Sequence, residues 1–156
     1  MSIRSVAKAI IVKENCVLLN RCHHEDGSVY YALPGGGQHQ YESLEDAVRR
    51  EVREETGYEV SELRFCALAE EIYTDEELRV QHSDYTHRIL HIFYAGIADN
   101  PRDIPSEKDF EMETSEWIPV ERIAELPEIC PKGLQKFFPQ IMKQTSPIYF
   151  GTYYLD

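Results

Sequence analysis

The chain has 156 residues, of which 42% are hydrophobic and 28% charged, with a formal net charge of −12 and a sequence pI near 4.9. That length suits one domain able to bury its core without staples, and so acidic a balance excludes the electrostatic footprint of a nucleic-acid or anionic-membrane binder. No stretch approaches the roughly 20 apolar residues of a transmembrane helix, and the cysteines (Cys16, Cys22, Cys66, Cys130) show no CxxC spacing, as expected of reduced structural thiols in an intracellular protein.

Ser5 to Lys13 and Cys16 to Arg21 are apolar runs separated by Glu14-Asn15, a turn signal, and together predict a hairpin. The first run is short, is interrupted by Lys8 and has no cleavage site after it. A strand explains it better than a signal peptide does, and a cytoplasmic location is expected. A polar loop, His23 to Ser28, leads to an aromatic run, Val29 to Leu33, and a break at Pro34-Gly35-Gly36-Gly37. Zinc through Cys22, His23 and His24 lacks the two spaced ligand pairs usual in structural zinc sites. Ser43 to Thr56 has helical periodicity, with Ser43 and Asp46 placed for an N-cap and Gly57 for a C-cap. Beyond it, Leu63 to Ala69 and Arg88 to Ala98 predict strands, and the charged segment Asp75 to Asp84 predicts a loop. Asn100 to Asp109 is a second polar loop. Glu113 to Val120 predicts a strand entering a short helix, Val120 to Leu126. Pro131 opens a further helix towards Lys143, which Pro139 kinks or ends, and Ile148 to Leu155 is strand-like. Strands interleaved with helices indicate an α/β fold, a mixed sheet with flanking helices.

Arg50-Glu51-Val52-Arg53-Glu54-Glu55 is the informative segment. At roughly 100° per residue, with Leu44 at zero, Ala47, Val48 and Val52 lie within about 80° on either side and define the buried stripe. Glu51 and Glu55 project near the centre of that stripe, and Glu54 lies at its margin. Carboxylates at i, i+3 and i+4 repel, and one facing a low-dielectric interior costs several kcal/mol or shifts its pKa. Arg50 can pair with Glu54 but cannot neutralise the cluster, so a cation is called for. Oxygen-only ligands select Mg²⁺ or Mn²⁺. Runs of this kind also occur on solvated helices. Here the carboxylates share the apolar face, and the glycine turn Gly35-Gly36-Gly37 just before the helix offers bare N–H groups to a phosphate.

Gly36, Glu42 and Arg50 to Tyr58 match GX5EX7REUXEEXGU, U being a bulky apolar residue, with Tyr58 a mild departure in the last place. This segment resembles the Nudix box. The approach Tyr31-Ala32-Leu33-Pro34 and the later Glu116-Trp117-Ile118 are similar to the family as well.

The resemblance implies a single Nudix hydrolase domain over residues 1–156, folded as an α/β/α sandwich. It also implies metal-dependent hydrolysis of a pyrophosphate bond in a nucleoside diphosphate linked to another moiety, as in ADP-ribose-like compounds, nucleoside triphosphates or dinucleoside polyphosphates. By it Glu51, Glu54 and Glu55 are metal ligands, Arg50 orients one of them, Glu42 supports the loop or binds a further ion, and Glu51 or Glu54 is the general base. Glu111 or Glu113 stands where relatives add a carboxylate. His39 and Tyr41 replace an acid and a glycine found in many relatives; the first removes a carboxylate, and the second is expected to narrow the loop. Tyr30, Tyr31, Tyr73, Tyr85 and Phe93 are available to stack on a base, though each also suits a core or rim. Tyr73 takes the fifteenth place past the box, where a proline accompanies ADP-ribose activity in some relatives. His87 and His91 share a strand face as packed, rim or ligand residues. The expected partner is a small nucleotide-type molecule, with no nucleic acid or membrane, and a homodimer follows by analogy. A non-catalytic nucleotide sensor of the same fold is the alternative; an appended DNA-binding or regulatory segment would favour it, and the chain is expected to have no room for one. An isomerase would need a differently arranged metal site and a reactive cysteine.

Overall fold

The computed structural model describes residues 2–108 and 111–156, so Asp109, the expected end of one loop, lies outside the described residues. Strands β1 (Arg4–Lys13) and β2 (Cys16–His23) form the expected hairpin. Glu14 and Asn15 both take positive φ, 50° and 60°, the backbone that matches a two-residue turn to strand twist. Next come β3 (Val29–Ala32), β4 (Gly35–Gly37), α1 (Leu44–Thr56), β5 (Val60–Tyr73), α2 (Glu76–Gln81) and β6 (His87–Ile97). The remainder is β7 (Met112–Pro119), a 3-10 turn (Val120–Glu125), β8 (Ile129–Cys130), α3 (Leu134–Ile141) and β9 (Ile148–Leu155).

The strands run in the order β8-β3-β2-β1-β6-β5-β9, with β4 pairing β1 and β7 pairing β2. The sheet is mixed: β1·β6, β5·β9 and β3·β8 are parallel, and the other pairs antiparallel. Alternation along β1 divides the core. Ala7, Ala9 and Ile11 meet Ala47, Val48 and Val52 of α1 on one face, while Val6 and Ile10 join Leu134, Phe138 and Ile141 of α3 on the other. This is the expected layering, a mixed sheet with a helix on each side. Each fully buried valine of α1 contributes about 1.5–3 kcal/mol of transfer free energy.

The ends of α1 are as the sequence predicts. Ser43 Oγ accepts from the Asp46 N–H at 3.1 Å, and Gly57, at φ 77°, donates its N–H to the Arg53 carbonyl, satisfying groups that a helix end leaves unpaired.

Three local expectations are corrected. The glycine break is a strand, since Gly36 stands opposite Ala7 and Gly37 opposite Val6 in the β1 ladder. The supposed loop Asp75 to Asp84 contains α2, capped by Asp75 on the Leu78 N–H; α2 buries no residue, so it lacks the apolar period that marks a helix in sequence. The last helix starts at Leu134 rather than Pro131. It contains Pro139 and ends two residues later at Ile141, short of Lys143, with Phe138 and Ile141 buried. Among the described residues no helix is long and apolar enough to cross a membrane.

Candidate active site

The loop from β4 into α1 is organised by Arg50. Its Nε and Nη2 donate to Glu42 Oε1 and Oε2 at 2.7 and 2.9 Å, and Nη2 also reaches the Gly37 carbonyl at 3.0 Å. Nη1 donates to Glu51 at 2.8 Å and to Glu54 at 3.2 Å. One planar fork thus holds three carboxylates and the end of the glycine strand, a task suited to guanidinium rather than to an ammonium. Pairing with Glu42 raises the Arg50 pKa.

Glu42 also accepts from the His39 N–H at 2.9 Å. It supports the loop, and Arg50 holds its carboxyl down to about 2 from an ordinary 4.5. A depressed pKa contributes stability above the unfolded value, lost as pH falls through the folded one. Glu42→Gln should therefore melt below the wild type by a constant margin above about pH 5. That margin should close between about pH 5 and pH 2, read by thermal melts across pH.

Glu55 behaves differently from its neighbours. It is 2% exposed, and its Oε2 accepts from Asn20 Nδ2 and from the Gly35 N–H, each at 2.9 Å. Asn20 is in turn oriented by Ser115 Oγ at 3.0 Å. A cleft of about 500 Å³ reaches Glu55, with Arg102, Lys108, Met112, Thr114 and Ser115 among its walls.

The glycines chiefly make room. Gly35 spends its N–H on Glu55, has φ 129°, and would place a Cβ into the Ala7 carbonyl and 2.8 Å from Lys8 Cα. A Cβ on Gly36 would lie 2.7 Å from the Glu51 carboxylate, and one on Gly37 2.6 Å from Arg4 Nη2. Gly35→Ala should destabilise by about 3 kcal/mol or more, since strain and backbone overlap add. Gly36→Ala meets the Glu51 carboxylate rather than backbone as its nearest neighbour. It should keep a near-normal melt while losing activity, and calorimetry beside a turnover assay separates the two.

Other expected residues bond to partners of their own, and Glu113 also lines the cleft that reaches Glu55. The Glu111 carboxylate accepts from Tyr30 Oη, and Glu113 pairs with Arg21 and, at 3.3 Å, with His23 Nδ1. Burial, then that contact with Glu111, pushes the Tyr30 pKa up. His24 turns to Glu128 at 3.1 Å while the Cys22 thiol faces the Asn20 carbonyl, so no zinc set converges there. Among the described residues no three carboxylate, imidazole or thiol groups converge as a ready metal cage. Tyr73 lies at the far end of β5, 5.5 Å from the Arg88 guanidinium carbon and 6.3 Å from the Tyr85 ring. Burial lifts its pKa to about 12. Phe93 packs under α1, and Tyr41 is 98% exposed at φ 67°, so it turns outward instead of narrowing the loop. His87 bonds Glu70 at 2.9 Å and His91 the Val6 carbonyl at 3.2 Å, both as rim residues.

Sequence reasoning missed Asn20, whose role depends on a partner 35 residues away, and Lys8, whose ammonium donates to the Gly35 carbonyl. Lys8 did leave a trace, a charged residue inside an otherwise apolar strand.

Fold and site together define an α/β/α domain that gathers carboxylates beside a glycine strand. Residues 2–141 match the NUDIX domain model, and the chain belongs to that family, the Nudix hydrolases. Solved structures share the fold. The mutator MutT protein from Bacillus halodurans is 24% identical over 97% of this chain and 90% of that one, with a TM-score of 0.69. A Nudix hydrolase from Nitrosomonas europaea is 18% identical over 94% and 93%, with a TM-score of 0.72. An ADP-ribose pyrophosphatase from Streptococcus suis is 19% identical over 95% and 99%, with a TM-score of 0.64.

Proposed function

We propose that this chain hydrolyses a pyrophosphate bond in a nucleoside diphosphate linked to a further group, using a divalent cation held by Glu51 and Glu54 with Glu55 adjoining. The observation that carries this is Arg50 Nη1 contacting Glu51 and Glu54 at once, 2.8 and 3.2 Å away. Two carboxylates of the box thus already turn to one cationic point, and Gly36 leaves open the space a Cβ would take from Glu51. Nudix hydrolases generally use divalent metals, and this oxygen-only donor set fits a hard ion, Mg²⁺ or Mn²⁺. Glu111, whose Oε2 accepts from Tyr30, is a further carboxylate for the set.

The ion, when bound, neutralises pyrophosphate oxygens and lowers the pKa of water. The chain's own residues do the rest. Arg50 fixes Glu51 by the shorter contact and orients Glu54 by the longer one. Glu54, the more exposed of the two at 25% against 14%, takes the proton as water attacks phosphorus and the bridging P–O bond breaks. Glu55, anchored by Asn20 and Gly35, holds the helix end against the glycine strand and faces the cleft. Tyr73 is the residue proposed to take the organic half of the substrate, with Tyr85 beside it. One domain over residues 1–156, a cytoplasmic location and a homodimer belong to the same proposal; sedimentation tests the last.

The deciding experiment offers ADP-ribose, a nucleoside triphosphate, a UDP-sugar and a dinucleoside polyphosphate to the protein with Mg²⁺ or Mn²⁺, and identifies products by chromatography. Metal-dependent release of mono- or diphosphate products is expected. Tight nucleotide binding with no turnover on any member would make the chain a sensor and overturn the proposal.

A further inference from the structure

We propose that Lys8 binds the pyrophosphate group of the substrate, an inference that rests on the hydrolase function above. Lys8 lies in the middle of β1, where Ala7, Ala9 and Ile10 are fully buried, opposite Gly35 on one side and Ile92 on the other. A lysine there costs desolvation that an aliphatic residue would not. Its ammonium reaches past the strand to the Gly35 carbonyl, and the N–H of the same glycine is held by Glu55. Gly35 therefore holds the ammonium on its carbonyl and Glu55 on its N–H. The chain has 28 acids against 16 lysines and arginines, yet among the described residues Lys8 is paired with a neutral carbonyl and with no carboxylate.

A purely structural tether explains this poorly. A single neutral acceptor uses one of three ammonium donors and leaves two for another ligand. An anion approaching the glycine strand would use the remaining donors. Alternation along β1 puts Arg4 on the same side as Lys8, with its Nη2 against Gly37 and its Cζ 5.7 Å from the Tyr85 ring. This side of the glycine strand is therefore cationic in a strongly acidic protein. A phosphate is the group that would meet both the cation here and a metal on the glutamates.

The probe is inorganic pyrophosphate with Mg²⁺, titrated calorimetrically into the full chain. Lys8→Met should weaken binding by about 10- to 100-fold, the worth of a charge-assisted hydrogen bond. Lys8→Arg should recover most of it, and with a turned-over nucleotide the loss should fall on KM more than on kcat. Unchanged affinity in a cooperatively melting Lys8→Met, or no pyrophosphate binding by the wild type, overturns the proposal. If Lys8→Met does not fold, amine modification of the wild type decides: pyrophosphate must protect Lys8, and equal labelling with and without it refutes the assignment. Absence of nucleotide turnover would defeat the hydrolase function alone, because the pyrophosphate comparison is read without catalysis.

Discussion

Glu54→Gln should lower kcat by about 10²- to 10⁴-fold, the usual contribution of a positioned general base, with a melting temperature close to that of the wild type. The amide keeps size and one acceptor for Arg50 but cannot take a proton. The choice of Glu54 over Glu51 follows from how each is held. Glu51 is locked by the shorter bond to Arg50 and sits against Gly36, whereas Glu54 makes the longer bond and is more exposed. A base must be free enough to bind and release a proton, and Glu54 is the freer. Glu51→Gln should act differently, weakening Mg²⁺ affinity, so that raising the metal concentration restores part of its activity and restores none in Glu54→Gln. Single-turnover rates across a Mg²⁺ series check both, and undiminished chemistry in Glu54→Gln would remove the base from this position.

Arg50→Ala should destabilise the fold by about 2–4 kcal/mol. That is somewhat below the cost of breaking a fully buried ion pair, because 22% of the Arg50 side chain remains exposed. The loss would lower the melting temperature by on the order of 10 °C. Removing the guanidinium leaves Glu42, Glu51 and Glu54 facing one another with the Gly37 carbonyl unsatisfied. Arg50→Lys should recover only a fraction, since an ammonium cannot span both Glu42 oxygens and reach the other two carboxylates. Mg²⁺ should raise the melting temperature of Arg50→Ala more than that of the wild type, because a second cation would then have no guanidinium to compete with. A melt unchanged by the substitution would mean that the carboxylates are screened by something other than Arg50.

The Lys8, Gly35 and Glu42 variants probe the same few residues from other sides, and together they separate what holds the loop from what handles the substrate. Glu42 and Arg50 form the frame. Gly35 and Asn20 fix Glu55. Glu51 and Glu54 face outward on that frame, and Lys8 approaches from the sheet.

Much of this was legible in the sequence wherever the physics is local. The hairpin turn, both caps of α1 and the burial of Glu55 with Val48 and Val52 all follow from dihedral preferences and the helical period, which act over four residues or fewer. The box followed for the same reason, as a contiguous segment. Local signals failed where a partner elsewhere in the chain decided. Three glycines read as a break, yet the β1 ladder made them a strand. Pro131 signalled a helix start, yet α3 begins only at Leu134. Only the tertiary structure decided that Glu55 is anchored by Asn20 across 35 residues and that the Glu111 carboxylate accepts from Tyr30. It alone brought Lys8 onto Gly35 from the far side of the glycine strand. Helical geometry fixes neighbours by sequence number, whereas sheet register and loop closure fix them by which distant strands pair. The carboxylates were therefore written in the sequence, and their supports were set by the fold.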